Sequence, residues 1–64
     1  MTVPVYAIKI RRFGEKRWSF LAGGGRTNHL TVHALRFYER EAAQLIVDKS
    51  APMNPATEWK VVTL

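Results

Sequence analysis

Three consecutive glycines at Gly23–Gly25 and a proline pair, Pro52 and Pro55, cut this chain into three stretches, none long enough for more than a hairpin or a single helix. A few short elements around one core are all that this punctuation permits. At 64 residues the chain hides only about 60% of the surface that its unfolded form exposes, which leaves room for one domain, residues 1–64.

Ahead of the glycines, residues 3–12 read as a strand, because Val5, Tyr6, Ile8 and Ile10 are strand-forming types and Lys9 and Arg11 alternate with the isoleucines. Gly14, flanked by Phe13 and Glu15, is the turn, and residues 17–22 return as a second strand that the glycine run ends. Residues 26–33 are polar and irregular, with Leu30 and Val32 as apolar anchors, so a loop or one short turn is expected there. Over residues 37–49 the pattern turns helical: Leu35, Tyr38, Ala42, Leu45 and Ile46 form a stripe at steps of three and four, with Arg36, Arg40 and Gln44 opposite. Phe37 lies off that stripe, which assigns Leu35 and Phe37 to a lead-in turn docked on the core. Residues 50–55 stop the helix, and residues 58–64, with Trp59, Val61 and Val62, form a third strand.

The order strand, strand, helix, strand predicts an α+β fold of ββαβ type. A right-handed crossover carries the last strand past the first, giving a three-stranded antiparallel sheet in the order 2-1-3 with one helix on one face and water on the other.

The hairpin register decides what that open face presents, since a slip of one residue exchanges the two faces. A two-residue Gly14-Glu15 turn pairs Ile10 with Ser19 and Ile8 with Leu21, and sets Trp18 and Phe20 beside Arg11 and Lys9. That face would be basic and aromatic, able to stack on unpaired bases and hold phosphates. A three-residue turn, or a bulge near Phe13 and Gly14, instead pairs Ile10 with Trp18 and Ile8 with Phe20 beneath the helix. The area of the two rings, roughly 150–250 Å² each, favours the second register in so small a chain.

Ten Lys and Arg against five Asp and Glu give a net charge of +5, which suits a polyanionic partner and also serves solubility. The absence of cysteine points to a reducing compartment, the cytoplasm. The first residues lack the charged and apolar regions of an export signal, and no apolar run approaches a membrane span, so no membrane partner is expected.

Arg11, Arg12, Lys16 and Arg17 surround one turn with Glu15 as the single acid, a concentrated positive tip that could reach a groove or a phosphate row; a solvated strand end would look the same. Arg36 and Arg40, four apart on the outer face of the helix, and Arg26 after the glycines could extend that surface, or simply be solvated. The stretch from Gly23 to Thr27 lacks the Gly-Lys-Ser/Thr that leads a phosphate loop into its helix, and reads as a flexible strand exit. His29 and His33 have helical metal-ligand spacing, but Leu30, Thr31 and Val32 lie between them and no cysteine can complete the set, so no metal or other cofactor is expected. No Ser or His has a recognisable activating partner and no carboxylate pair shares a cleft, which argues against an enzyme.

The layout of Val5-Tyr6-Ala7-Ile8-Lys9, Gly14 with Lys16-Arg17-Trp18, the glycine run, Ala34-Leu35-Arg36-Phe37, Glu41-Ala42 and a closing Trp59-Lys60-Val61-Val62 strand resembles small orphan proteins of bacteriophages and mobile elements. The resemblance spans most of the chain, but its motifs are structural punctuation and carry over no site residue. It implies binding to nucleic acid, nucleoprotein machinery or defence proteins in the host cytoplasm, including inhibition of the anti-CRISPR type. The function expected is therefore non-enzymatic binding of nucleic acid or a nucleoprotein complex through the hairpin tip. Its rival is an inhibitor or adaptor that acts by protein contact on an acidic surface, where a free sheet edge would also admit a homodimer.

Overall fold

The computed structural model describes residues 3–64. Four strands and one α-helix follow each other as β1 (Tyr6–Arg12), β2 (Ser19–Leu21), β3 (Thr27–Asn28), α1 (Arg40–Ser50) and β4 (Thr57–Thr63). All pairings are antiparallel and the sheet order is β3-β2-β1-β4.

The α+β class is as expected, but the sheet has four strands and not three in the order 2-1-3. The additional strand lies where a loop was expected, and the glycine run is its cause. Gly24 takes a φ of 73°, open to glycine at little cost, and the Ala22 N–H donates to the Arg26 carbonyl at 2.6 Å. The glycines therefore close a second hairpin, pairing Leu21 with Thr27 and Phe20 with Asn28, instead of ending the sheet. Asn28 then turns the chain away: its Oδ1 accepts the Leu30 N–H at 2.9 Å.

The longest ladder joins β1 to β4, from Tyr6 opposite Thr63 to Arg12 opposite Thr57. It continues past both ends, through Leu64 N–H to the Val5 carbonyl at 2.8 Å and Phe13 N–H to the Ala56 carbonyl at 3.0 Å. Holding β1 so far forces an early turn, in which the Glu15 N–H donates to the Arg12 carbonyl at 3.1 Å around Gly14, whose φ is 90°.

Residues 16–18 then run outside the ladder, and pairing resumes with Ser19 opposite Ile10 and Phe20 opposite Lys9. This corrects the register that ring area favoured: Ile10 does not meet Trp18, and neither Trp18 nor Phe20 lies beneath the helix. The core does not need them, because Phe37 and Trp59 supply its rings.

The helix-facing side of the sheet carries Ile8, Ile10, Leu21, Trp59 and Val61, and α1 meets it with Ala43, Ile46 and Val47. Of the expected stripe only Ile46 packs there; Leu45 is 54% exposed and Tyr38 67% exposed. The helical phase differs from the expected one because residues 34–37 are extended and bridged to the sheet and the helix begins only at Arg40. Tyr6 and Phe37 exchange backbone hydrogen bonds at 2.8 and 2.9 Å, the Leu35 N–H donates to the Leu21 carbonyl at 2.9 Å, and Glu39 is still extended at φ −125° and ψ 130°. With Leu35 and Tyr38 outside the helix, α1 is free to turn by about 100°, the step between successive residues, which brings the small Ala43 against Ile8 and lets the backbone approach the sheet.

Candidate nucleic-acid interface

Strand alternation places every second residue of β1 on the side away from the helix. Ala7, Lys9 and Arg11 therefore share the face away from the helix, which the chain covers at Ala7, 0% exposed, and leaves open farther along, with Phe20 opposite Lys9 on β2 and Glu58, Lys60 and Val62 opposite Arg11, Lys9 and Ala7 on β4. Trp18, just before β2, lies against the same cations: the Arg11 guanidinium is 4.4 Å and the Lys9 ammonium 5.6 Å from its ring centroid. Each contact of this kind is worth about 0.5–1 kcal/mol near solvent. It offsets part of the cost of keeping a large ring out of the core.

Arg36 reaches this face from the side. The Tyr6–Phe37 bridge turns Phe37 toward the core, so the preceding residue in an extended segment points the other way. Arg36 and Thr31 accordingly line a groove of about 550 Å³ with Lys9, Phe20, Val5, Val62, Thr63 and Leu64. A smaller depression, about 250 Å³, lies at the hairpin end among Arg11, Arg12, Glu15, Ser19, Thr27 and Thr57.

Among the described residues one ion pair forms, Arg11 with Glu58 directly across the ladder, and that carboxylate is the single acid on the open face. Lys9 and Lys60 stand opposite each other with no carboxylate between them. Like charges opposed in this way repel, so the face carries excess positive potential at its centre.

The expected site residues do not form one surface. Arg11 is half-buried and held by Glu58 and Trp18, while Arg12, Lys16 and Arg17 are exposed around the turn. Arg36 is not on the outer face of a helix, as its spacing from Arg40 implied; it lines the groove, and Arg40 begins α1. Arg26 is exposed at the second hairpin turn, away from the groove lining. Sequence reasoning omitted Lys9, Trp18, Phe20 and Lys60 from the site. The signal for three of them was present in the two-residue-turn register, which set both rings beside Arg11 and Lys9.

His29 and His33 occupy separate surroundings. The His29 Nδ1 is 3.2 Å from the Ser19 Oγ, whereas His33 ends a 3-10 turn at Thr31–His33. Among the described residues no group of three or more His, Asp or Glu side chains is arranged to hold a metal ion. No helix of the described chain is long and apolar enough to cross a membrane.

Fold and face together define a small α+β domain with one sheet face sealed by a helix and the other cationic and aromatic. No family model matches the chain, and neither a curated protein nor a solved structure matches it.

Proposed function

We propose that this protein is a non-enzymatic binding module of phage or mobile-element type that engages nucleic acid, alone or within a nucleoprotein complex, through the open face of its sheet and the basic turn beside it. One observation carries this reading: Trp18 and Phe20 lie half-buried on the side of the sheet away from the helix, among Lys9, Arg11 and Lys60, although ring area alone would place them in the core. Rings supply faces on which bases stack and the cations neutralise phosphates, a combination suited to unpaired strands. Arg12, Lys16 and Arg17, exposed around the turn next to that face, would add phosphate contacts beside it.

Binding of a fluorescent single-stranded oligonucleotide, measured by anisotropy across ionic strengths, tests this. Affinity should fall steeply with salt, and the double variant Lys16→Gln, Arg17→Gln should flatten the slope of log affinity against log salt by up to ~1.4, at ~0.7 for each single-strand phosphate no longer neutralised. No binding at low salt would overturn the reading.

A second reading has its own support in the outer edge of β4, a seven-residue strand paired on one side only. Such an edge can accept a strand from a partner, which suits an inhibitor or adaptor acting by protein contact. An apolar or strand-pairing interface should barely respond to salt, so the same measurement on a captured partner separates the two readings.

A further inference from the structure

The groove beside Phe20 has a composition that the remainder of the open face lacks. Its floor is apolar and aromatic, from Val5, Phe20 and Val62, while Lys9 and Arg36 bring two cations to it from different elements and Thr31 and Thr63 supply hydroxyls. A volume of about 550 Å³ falls within the ~300–1,000 Å³ of small-ligand sites. Neither cation has a carboxylate partner among the described residues, so an incoming anion would displace no existing ion pair.

Resting on the nucleic-acid reading above, we propose that this groove is the seat for one unpaired nucleotide, its base stacked on the Phe20 ring and its phosphate held between Lys9 and Arg36. A base within a duplex is stacked on both sides and cannot present its face to Phe20, so the groove selects single strands. Arg11 lies two residues beyond Lys9 on the same face, about 6.8 Å along β1, but it is paired with Glu58 and packed on Trp18, so the phosphate falls to Lys9 and Arg36. The groove thus sets specificity, whereas Lys16 and Arg17 contribute charge without distinguishing strand form.

Nuclear magnetic resonance of the full chain tests the site with adenosine monophosphate, adenosine and inorganic phosphate as separate probes. The nucleotide should shift the ring signals of Phe20 together with the side-chain signals of Lys9 and Arg36, and either fragment alone should do so far more weakly. A ten-nucleotide oligo-dA should bind more tightly than a duplex of the same length. Phe20→Leu, which keeps apolar bulk but removes the ring, should weaken oligo-dA by about 5- to 150-fold, the worth of one stacked base, with little change for duplex. Phe20→Tyr should restore binding, and Arg36→Gln should weaken oligo-dA more than duplex.

Should the Phe20→Leu chain not fold, as judged by circular dichroism, the ring shifts in the unsubstituted protein and the affinities of Phe20→Tyr and Arg36→Gln still decide. Oligo-dA binding that leaves Phe20, Lys9 and Arg36 undisturbed would overturn the groove assignment and leave nucleic-acid binding by the face intact. A full set of shifts from phosphate alone would reduce the groove to an anion site and equally overturn it. If no nucleic acid binds at low salt, both proposals fall.

Discussion

Ile8 is the one large side chain among the described residues that solvent does not reach at all, and it lies under Ala43 and Val47 at the centre of the core. Ile8→Ala should therefore cost about 2–5 kcal/mol, enough to unfold most of the population of so small a domain. Leu45, 54% exposed, should lose well under about 1 kcal/mol as Leu45→Ala, and Phe20→Ala should fall between the two. Chemical denaturation ranks the three, and a Phe20 variant as unstable as the Ile8 variant would count against an open aromatic face. Trp59 offers a different test, because its Nε1 is buried with no hydrogen-bond partner among the described residues. An unpaired buried donor costs about 1–3 kcal/mol, which Trp59→Phe would recover while giving up part of the ring's packing. That substitution should change stability by less than about 1 kcal/mol, whereas Trp59→Ala should cost about 3–5 kcal/mol.

The elements differ in how firmly they are held. Seven residue pairs join β1 to β4, but two join β1 to β2 and two join β2 to β3. Hydrogen exchange should accordingly find the β1–β4 amides protected nearly to the level of global unfolding, with β2 and β3 exchanging through cheaper local opening. Equal protection across the sheet would contradict this ordering. At the first turn Gly14 has a φ of 90°, and a Cβ there would meet nothing within 4 Å, so the obstacle to a side chain is conformational alone. Gly14→Ala should cost about 1–2 kcal/mol, while D-alanine at the same position, accessible by synthesis, should stabilise by about 0.4–1 kcal/mol through a less flexible unfolded chain.

Across the whole molecule the open face trades stability for charge. Lys9 and Lys60 oppose each other at its centre, and the pairing strands admit an easy repair: Lys60→Glu sets opposite charges across the ladder and should stabilise the fold by about 0.2–1 kcal/mol. The same change should weaken the proposed polyanion binding, because it removes one cation from the open face and adds a carboxylate to it. Thermal unfolding and oligonucleotide titration on one variant then move in opposite directions, as expected where function opposes stability. A Lys60→Glu protein that is both more stable and an equally good binder would show that this part of the face is not used. Oligonucleotide added to the unsubstituted protein should raise its melting temperature in a concentration-dependent way, since a ligand of the native state stabilises by mass action.

Local chemistry determined the elements. Alternation in residues 6–12, the positive-φ glycines, the helical spacing of Ala42, Leu45 and Ile46 and the prolines after the helix each act within a few residues, so β1, the first hairpin, α1 and β4 could be read directly from their neighbours. The basic turn of Arg11, Arg12, Lys16 and Arg17 was legible for the same reason. Tertiary structure alone decided which face each side chain serves. Face depends on a register set by how far β4 holds β1 past Arg12, and on helical phase, which the extended pairing of Phe37 with Tyr6 released. Both are contacts between residues more than 30 positions apart, and a one-residue difference in either exchanges buried for exposed. The rings of Trp18 and Phe20 could have filled this core; they lie half-buried on the other side of the sheet because Trp59 and Phe37 arrive there from distant parts of the chain.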